Sequence, residues 1–427
     1  MKKLNFLKSN SKTTLPLLIV ITLVIGVSSG LAGMLLVLLL HYVQHLAYGY
    51  SLDFIISDVS FLEGVRSSSS LRRIIVLLFC GLIAGLGWWV IYHYGKPLVS
   101  IPKAVESDKP RMPILTTTTH ALLQIITVAM GSPLGREVAP REVAATFACW
   151  LTAKTGLKTK DAQVMVACAA GAGLAAAYNI PLGGAMFTLE VLLRTLRWSA
   201  LLPAIATSTI AVVVSWIGLG NESEYQSVNF MLSYPLVIWS IVAGPIFGFS
   251  AYCFTRITTS ARRKAPRHWQ LPIFCLLNFM MIGLLAVYFP AILGNGKATT
   301  QLGLADTLSV KLAATLLLLR VFIVWSSLRA GAEGGLLTPS LANGALLAVV
   351  LGGLWSQLWP AGNIPSGAFA LIGGAAFLAA AQKMPLTAII LIVEFTGINF
   401  SFLIPILFAI IGSVGIFSLC VNKSASQ

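Results

Sequence analysis

Charged side chains are scarce in this sequence, yet two of them, Arg136 and Glu137, stand side by side in the stretch Gly131-Ser132-Pro133-Leu134-Gly135-Arg136-Glu137-Val138-Ala139-Pro140-Arg141-Glu142. A charge at membrane depth costs ~2.5–3.5 kcal/mol on insertion scales, so such residues line a pathway or hold a structure together. The flanking glycines and prolines stop a helix from running straight through. A helix that begins inside a membrane presents unpaired N–H groups and about +0.5 of a charge. Several such ends aimed at one spot bind an anion without a full positive charge, which would hold the ion too tightly for it to leave. The parts for this are the N–H-rich breaks at Gly135–Val138 and Gly334–Leu337. The ring of intramembrane Asp and Glu that a cation path calls for is not in the sequence, which favours an anion. Beside an anion site, an ionised Glu137 competes with the ion and a protonated one vacates the site. Glu137 is then a gate, a proton carrier or both; the alternative is a structural Arg136–Glu137 pair.

Other polar groups carry less information. Glu190 and Glu394 each end an apolar helix near a turn and read as structural acceptors for a neighbouring loop. Tyr178 and Asn179, beside Pro181, read as packing and capping groups, and Glu333 caps a break or faces solvent. His41 and His45 lie one helical turn apart, but no third metal ligand is evident, so they read as polar residues at a membrane interface. The six cysteines form no C-x-x-C pair and read as small buried hydrophobes. An intramembrane enzyme is disfavoured, because no Ser–His pair in a G-x-S-x-G context, no H-E-x-x-H and no paired aspartates occur.

The elements that must position these residues are set by composition. Of 427 residues, 57% are hydrophobic and 10% charged, with a mean hydropathy of +0.86; soluble proteins carry about 25% charged residues. This is an all-α polytopic membrane protein with apolar sequence for roughly ten or more passes of ~20 residues. The net charge of +15 sits in short loops between apolar runs, as the positive-inside rule predicts, and not in a basic stripe suited to nucleic acid. The N-terminus, with Lys2, Lys3, Lys8 and Lys12, resembles a signal-peptide n-region, but the apolar run from Leu15 to about Leu46 is far too long for an h-region and no clear cleavage site follows. It reads as a retained first helix with a cytoplasmic N-terminus, tilted or projecting from the bilayer. A polar loop is predicted from Ser51 to Ser70, a helix over about 71–94, a loop and short helix start around Pro102, and a helix from Arg141. Lys154, Lys158, Lys160, Arg194, Arg197 and the cluster Arg256–Arg267 mark cytoplasmic loops; the stretch from Trp216 to Gln226, with Glu222 and Glu224 but no Lys or Arg, fits an external one.

The chain is internally duplicated. Ala175-Ala176-Ala177, three residues, Pro181-Leu182, seven residues and Glu190 recur in the same spacing as Ala379 to Ala381, Pro385-Leu386 and Glu394. The glycine-rich break at Gly135 has a looser partner in Gly331 to Pro339. Discontinuous helices at corresponding positions of two copies point to a central substrate site.

At this point the sequence resembles the CLC chloride channel and proton/chloride antiporter family. The resemblance rests on Gly135-Arg136-Glu137, the run from Ala169 through Pro181 to Glu190, Gly334-Gly335-Leu336-Leu337-Thr338-Pro339, and Pro385-Leu386-Thr387 to Glu394. It implies a single CLC-type membrane domain of two inverted-repeat halves, about 15–220 and 230–420, built from many tilted, broken helices. It implies no cytoplasmic regulatory domain, no cofactor or metal, a homodimer with one pore per subunit, and a bacterial inner-membrane location among lipid. Glu137 resembles the gating glutamate. The backbone around Gly135, Arg136 and Val138, and that of Leu336 and Leu337, resembles the anion-coordinating amides. The motif that contributes a serine is altered: Val99 stands at that place and Ser100 one later. Val138 and Ala139 replace a Gly-Pro pair, Val191 stands where antiporters carry an inner proton-relay glutamate, and the tyrosine expected near the C-terminus has no candidate. Chloride transport is the expected activity, with proton exchange and passive conduction both open, and fluoride or nitrate as alternative ions; a non-transporting membrane scaffold is the remaining reading.

Overall fold

The computed structural model describes residues 14–50, 59–226, 230–360 and 364–425. These form seventeen α-helices: α1 (Leu15–Tyr48), α2 (Phe61–Ser67), α3 (Ser70–Tyr94), α4 (Ile101–Glu106), α5 (Ile114–Ala129), α6 (Val138–Thr155), α7 (Thr159–Tyr178), α8 (Pro181–Phe187, prolonged by a π-helical turn over Thr188–Leu193), α9 (Trp198–Leu219), α10 (Tyr234–Arg263), α11 (Gln270–Tyr288), α12 (Lys297–Leu304), α13 (Val310–Ala330), α14 (Leu337–Leu358), α15 (Ser366–Gln382), α16 (Pro385–Thr396) and α17 (Leu403–Ala425). Among the described residues nine helical stretches are long and apolar enough to cross a membrane, and the chain is a multi-span membrane protein. Four shorter apolar helices, α5, α8 with its extension, α15 and α16, stop part-way. At 1.5 Å per residue a 12-residue helix such as α16 reaches ~18 Å against a hydrocarbon core of ~30 Å.

The local sequence explains the stops and starts. Pro181 and Pro385 open α8 and α16 at a position where a missing N–H costs nothing. Just before each proline the chain reverses through a left-handed residue, Asn179 at φ 57° and Lys383 at φ 56°, which cap α7 and α15. The duplication seen in the sequence thus extends to matching backbone conformations. Serines cap α2, α3 and α13, and Ser60 with Glu63 completes a capping box.

The two copies clasp each other. The Glu190 carboxylate accepts from the amides of Leu386 (3.0 Å) and Thr387 (2.7 Å) at the start of α16, and from the Thr387 hydroxyl at 2.6 Å. The Glu394 carboxylate accepts from the amides of Leu182 (2.9 Å) and Gly183 (2.7 Å) at the start of α8. Each acid lies late in its own helix and caps the beginning of the other, so α8 and α16 run antiparallel, related by a local two-fold exchange. Helix dipole and charge-assisted hydrogen bonds act together at both ends.

The helices most enclosed by protein are α7 and α15, one in each copy; alanine and glycine dominate them, which lets neighbours approach closely. By contrast α1, α3 and α17 keep a face of large exposed aliphatics such as Leu35, Phe79, Leu86 and Ile411, the surface that lipid covers.

Three expectations need correction. The loop predicted over 51–70 contains α2, whose capping box was present at Ser60 and Glu63; residues 51–58 lie outside the described residues, as do the basic residues before Thr14. Helix α6 begins at Val138, three residues before Arg141, because Pro140 is accommodated in a first turn. Cys253 is exposed and Cys420 half-exposed, whereas the other four cysteines are buried; an apolar helix in a membrane protein has a lipid face as well as a buried one.

Candidate functional site

Gly135 and Gly335, one from each break, exchange both backbone hydrogen bonds, at 2.8 and 2.9 Å. Helix α6 starts at Val138 and α14 at Leu337, so this two-residue bridge brings two helix N-termini face to face. Between them lies Glu137, 1% exposed. Its Oε1 accepts from the backbone N–H of Leu337 at 2.7 Å. Its Oε2 has no hydrogen-bond partner.

The carboxylate fits only because of the glycines. A methyl group on Gly335 would overlap Glu137 Oε1, and one on Gly135 would overlap Oε2. Neither glycine has a positive φ, so the requirement is for room and not for backbone freedom. The resulting cradle of bare backbone holds the carboxyl group against the positive end of α14. Chemically, Glu137 occupies the kind of site that a small free anion would take.

Arg136 does not pair with Glu137. Its Nη2 donates to both carboxylate oxygens of Glu224 at 3.2 Å, and its guanidinium lies over the ring of Tyr178, 4.7 Å from the centroid. Lys297 reaches the same Glu224 at 3.3 Å. Consecutive residues at a helix start project in different directions, so the structural Arg136–Glu137 pair is replaced by an Arg136–Glu224–Lys297 group. Tyr178 contributes more than packing: its hydroxyl meets Thr338 Oγ1 at 3.2 Å, in the first turn of α14 beside Leu337.

The remaining predicted residues have these places. Val138 is half-buried at the first position of α6; Leu336 is half-buried and precedes α14, with its carbonyl accepting from Gln382 Nε2 at 3.3 Å; Pro339 is buried in the first turn of α14. Val99 is half-buried against the cluster of α6 and α7 alanines, and Ser100 is exposed as the residue before α4, with no side-chain cap bond. Neither Val99 nor Ser100 is hydrogen-bonded to the Glu137 cradle among the described residues. Glu190 and Glu394 make no hydrogen bond to the cradle among the described residues and serve the clasp. Glu333 accepts from the Tyr92 hydroxyl at 3.0 Å and lies 3.8 Å from Arg262, whose Nη2 donates to the Gly334 carbonyl at 2.8 Å.

Sequence reasoning missed Glu224, Arg141 and Arg320. Glu224 sat in a loop with nothing to tie it to a residue 88 positions earlier. Arg141 donates through Nε to the Glu137 carbonyl at 2.9 Å and covers the Phe187 ring at 4.9 Å; its i, i+4 spacing from Glu137 was a readable signal. Arg320, fully buried, donates to the carbonyls of Ile292 (3.0 Å), Gly294 (3.1 Å) and Pro133 (3.5 Å), which braces the first break from behind. No cluster of three or more His, Cys, Asp or Glu that could hold a metal ion occurs among the described residues.

Comparison with known proteins places this geometry in a family. Residues 80–418 match the family model described as voltage gated chloride channel. The voltage-gated ClC-type chloride channel ClcB of Escherichia coli O17:K52:H18 (strain UMN026) is 30% identical over 356 residues, covering 79% of this chain and 82% of that protein. ClcB of Citrobacter koseri is 27% identical over 349 residues, with the same coverage. Among solved structures, a slow cyanobacterial Cl−/H+ antiporter superposes with a TM-score of 0.78 at 18% identity, covering 96% of this chain and 98% of that one. A CLC-type fluoride/proton antiporter gives 0.67 at 21% identity, covering 95% and 98%. These likenesses agree with the all-helical, broken-helix architecture. With a Glu137 cradle built from two helix breaks and a family model spanning most of the sequence, this chain belongs to the voltage-gated chloride channel (CLC) family.

Proposed function

We propose that the protein carries chloride or a similar small anion across the membrane, with Glu137 as the gate. The observation that carries this reading is the buried Glu137 carboxylate seated on the Leu337 amide between two helix N-termini. A free anion and this carboxylate compete for one set of donors, so passage requires Glu137 to leave, by movement or by protonation. The backbone of Gly135, Arg136, Val138, Leu336 and Leu337 forms the anion's surroundings. The relatives include proteins named as channels and structures named as proton antiporters, and exchange of protons through Glu137 is part of the proposal. Passive conduction is the second reading, favoured by Val191, which offers no carboxylate at the inner position. We further assign the protein to the bacterial inner membrane as a homodimer with one pathway per subunit, its N-terminus cytoplasmic and its two halves meeting near residues 220–230. The basic residues of the loops before α7, after α8 and after α10 support a cytoplasmic assignment of those loops.

Reconstitution into proteoliposomes tests the proposal. Chloride efflux with a valinomycin shunt is expected, absent from empty vesicles and altered in Glu137→Ala. No flux of chloride, nitrate or fluoride sinks the transport reading. A pH electrode beside the chloride electrode separates the mechanisms: a chloride gradient that drives protons uphill means exchange. The assignment of Glu137 as gate fails if Glu137→Gln leaves both rate and pH dependence unchanged.

A further inference from the structure

We propose that Arg141 is a second anion-coordinating group, one helical turn along α6 from Glu137, and that it favours planar oxyanions such as nitrate over halide ions. The inference deepens the transport reading and rests on it. The guanidinium is fixed on two sides: Nε is held by the Glu137 carbonyl at 2.9 Å and the flat face lies over Phe187 at 4.9 Å. Its Nη groups donate to no carbonyl and reach no carboxylate within ion-pair distance among the described residues. The buried arginines differ. Arg136 is paired with Glu224. Arg73 donates to the carbonyls of Val65, Arg66, Ser68 and Ala286. Arg320 is held by the three carbonyls named above. Arg141 is thus a cation in the membrane domain whose outward fork is free.

The place of that fork suits an ion in transit. Its electrostatic neighbours are Glu137, Glu142 and Tyr178. Glu142 is engaged by His120 at 2.9 Å and Gln124 at 3.2 Å, so it leaves the guanidinium to other partners. Phe187 and Tyr178 belong to the inner helices α8 and α7, so one face of the guanidinium packs against the protein interior. Arg141 is half-buried, so its Nη groups are open to an entering anion without first giving up a protein partner. A lone arginine would hold an ion too long, but the neighbouring Glu137 charge offsets much of the attraction. The fork also supplies side-chain donors that Val99 does not. Two parallel N–H groups match two oxygens of a planar anion, which a spherical ion cannot use as well.

Isothermal titration of detergent-solubilised protein with potassium chloride and potassium nitrate tests this. Wild type is expected to bind nitrate several-fold more tightly than chloride. Arg141→Gln is expected to weaken nitrate about tenfold or more. Arg141→Lys, which keeps the charge and loses the fork, keeps chloride within about threefold and loses the nitrate advantage, and it carries the test if Arg141→Gln does not fold. Equal affinities of wild type for the two ions, or Arg141→Gln binding both within about twofold of wild type, overturns the proposal. Absence of anion flux from wild-type vesicles defeats the transport reading instead and leaves the binding result standing.

Discussion

A methyl group placed at residue 335 separates two ideas that the Glu137 cradle joins. An alanine there puts its Cβ where the Glu137 carboxylate lies, and the three atoms nearest to that Cβ all belong to Glu137. In the wild-type background, Gly335→Ala therefore expels the carboxylate from the Leu337 amide. The bond lost is charge-assisted, with a net value of about 1.5–3 kcal/mol, or roughly a 10- to 150-fold change in how often the carboxylate occupies the cradle. Opening should follow if the carboxylate is the only occupant. If the transported anion uses the same cradle, the methyl evicts it too. The double variant Glu137→Ala/Gly335→Ala decides. Deleting the carboxylate removes the overlap, and replacing glycine at a residue without positive φ stabilises by about 0.4–1 kcal/mol through the unfolded chain. The double variant should then match or exceed Glu137→Ala in thermal stability while losing most of its chloride flux in proteoliposomes. A double variant that is folded and carries chloride at the rate of Glu137→Ala refutes the shared cradle, and the anion path would lie elsewhere.

Other perturbations test the supports. Glu190→Gln and Glu394→Gln should each lower the thermal midpoint in detergent, because each acid takes two helix-start amides and a glutamine side chain keeps one acceptor; a loss of roughly 1.5–3 kcal/mol per site is expected. An effect at only one of the two would contradict the two-fold clasp. Glu224→Gln leaves Arg136 buried with a weakened partner and should cost up to about 3–5 kcal/mol, read as aggregation or early unfolding in size-exclusion thermal assays, whereas an exposed acid such as Glu106 should tolerate the same change. At the start of α2, the backbone N–H and hydroxyl of Ser60 hold the Glu63 carboxyl below its usual value of 4.5. A depressed folded value means that the cap is fully formed above the unfolded value and fails as pH falls through the folded one, so hydrogen exchange in α2 should quicken only in that acidic window.

The spans, the duplication and Glu137 itself were legible because each leaves a local mark: a long apolar run, a repeated spacing, or a charge among glycines. The N-terminal end of α1 was fixed by Pro16 and the first apolar residues, so its limits could be read directly. The partners of the charges were not legible. Arg136 meets Glu224, Arg320 meets Pro133 and Glu394 meets Leu182 across long stretches of sequence, and no local pattern encodes which distant backbone will arrive. The start of α6 was misplaced for a smaller reason: proline within a first turn looks like a stop in one dimension and is harmless in three.

The clasp between α8 and α16 also sets a schedule for synthesis. The amides of Leu182 and Gly183 are made early, but the Glu394 carboxylate that satisfies them emerges from the ribosome only about two hundred residues later. At ~5–20 residues per second that interval is roughly 10–40 s. During it α8 stands in the bilayer with open donors, and the nascent first half is incomplete in a chemical sense as well as a topological one. A carboxylate supplied in trans, on a separately expressed second half, would meet the same donors, so the clasp offers a natural seam for reassembling the protein from two chains.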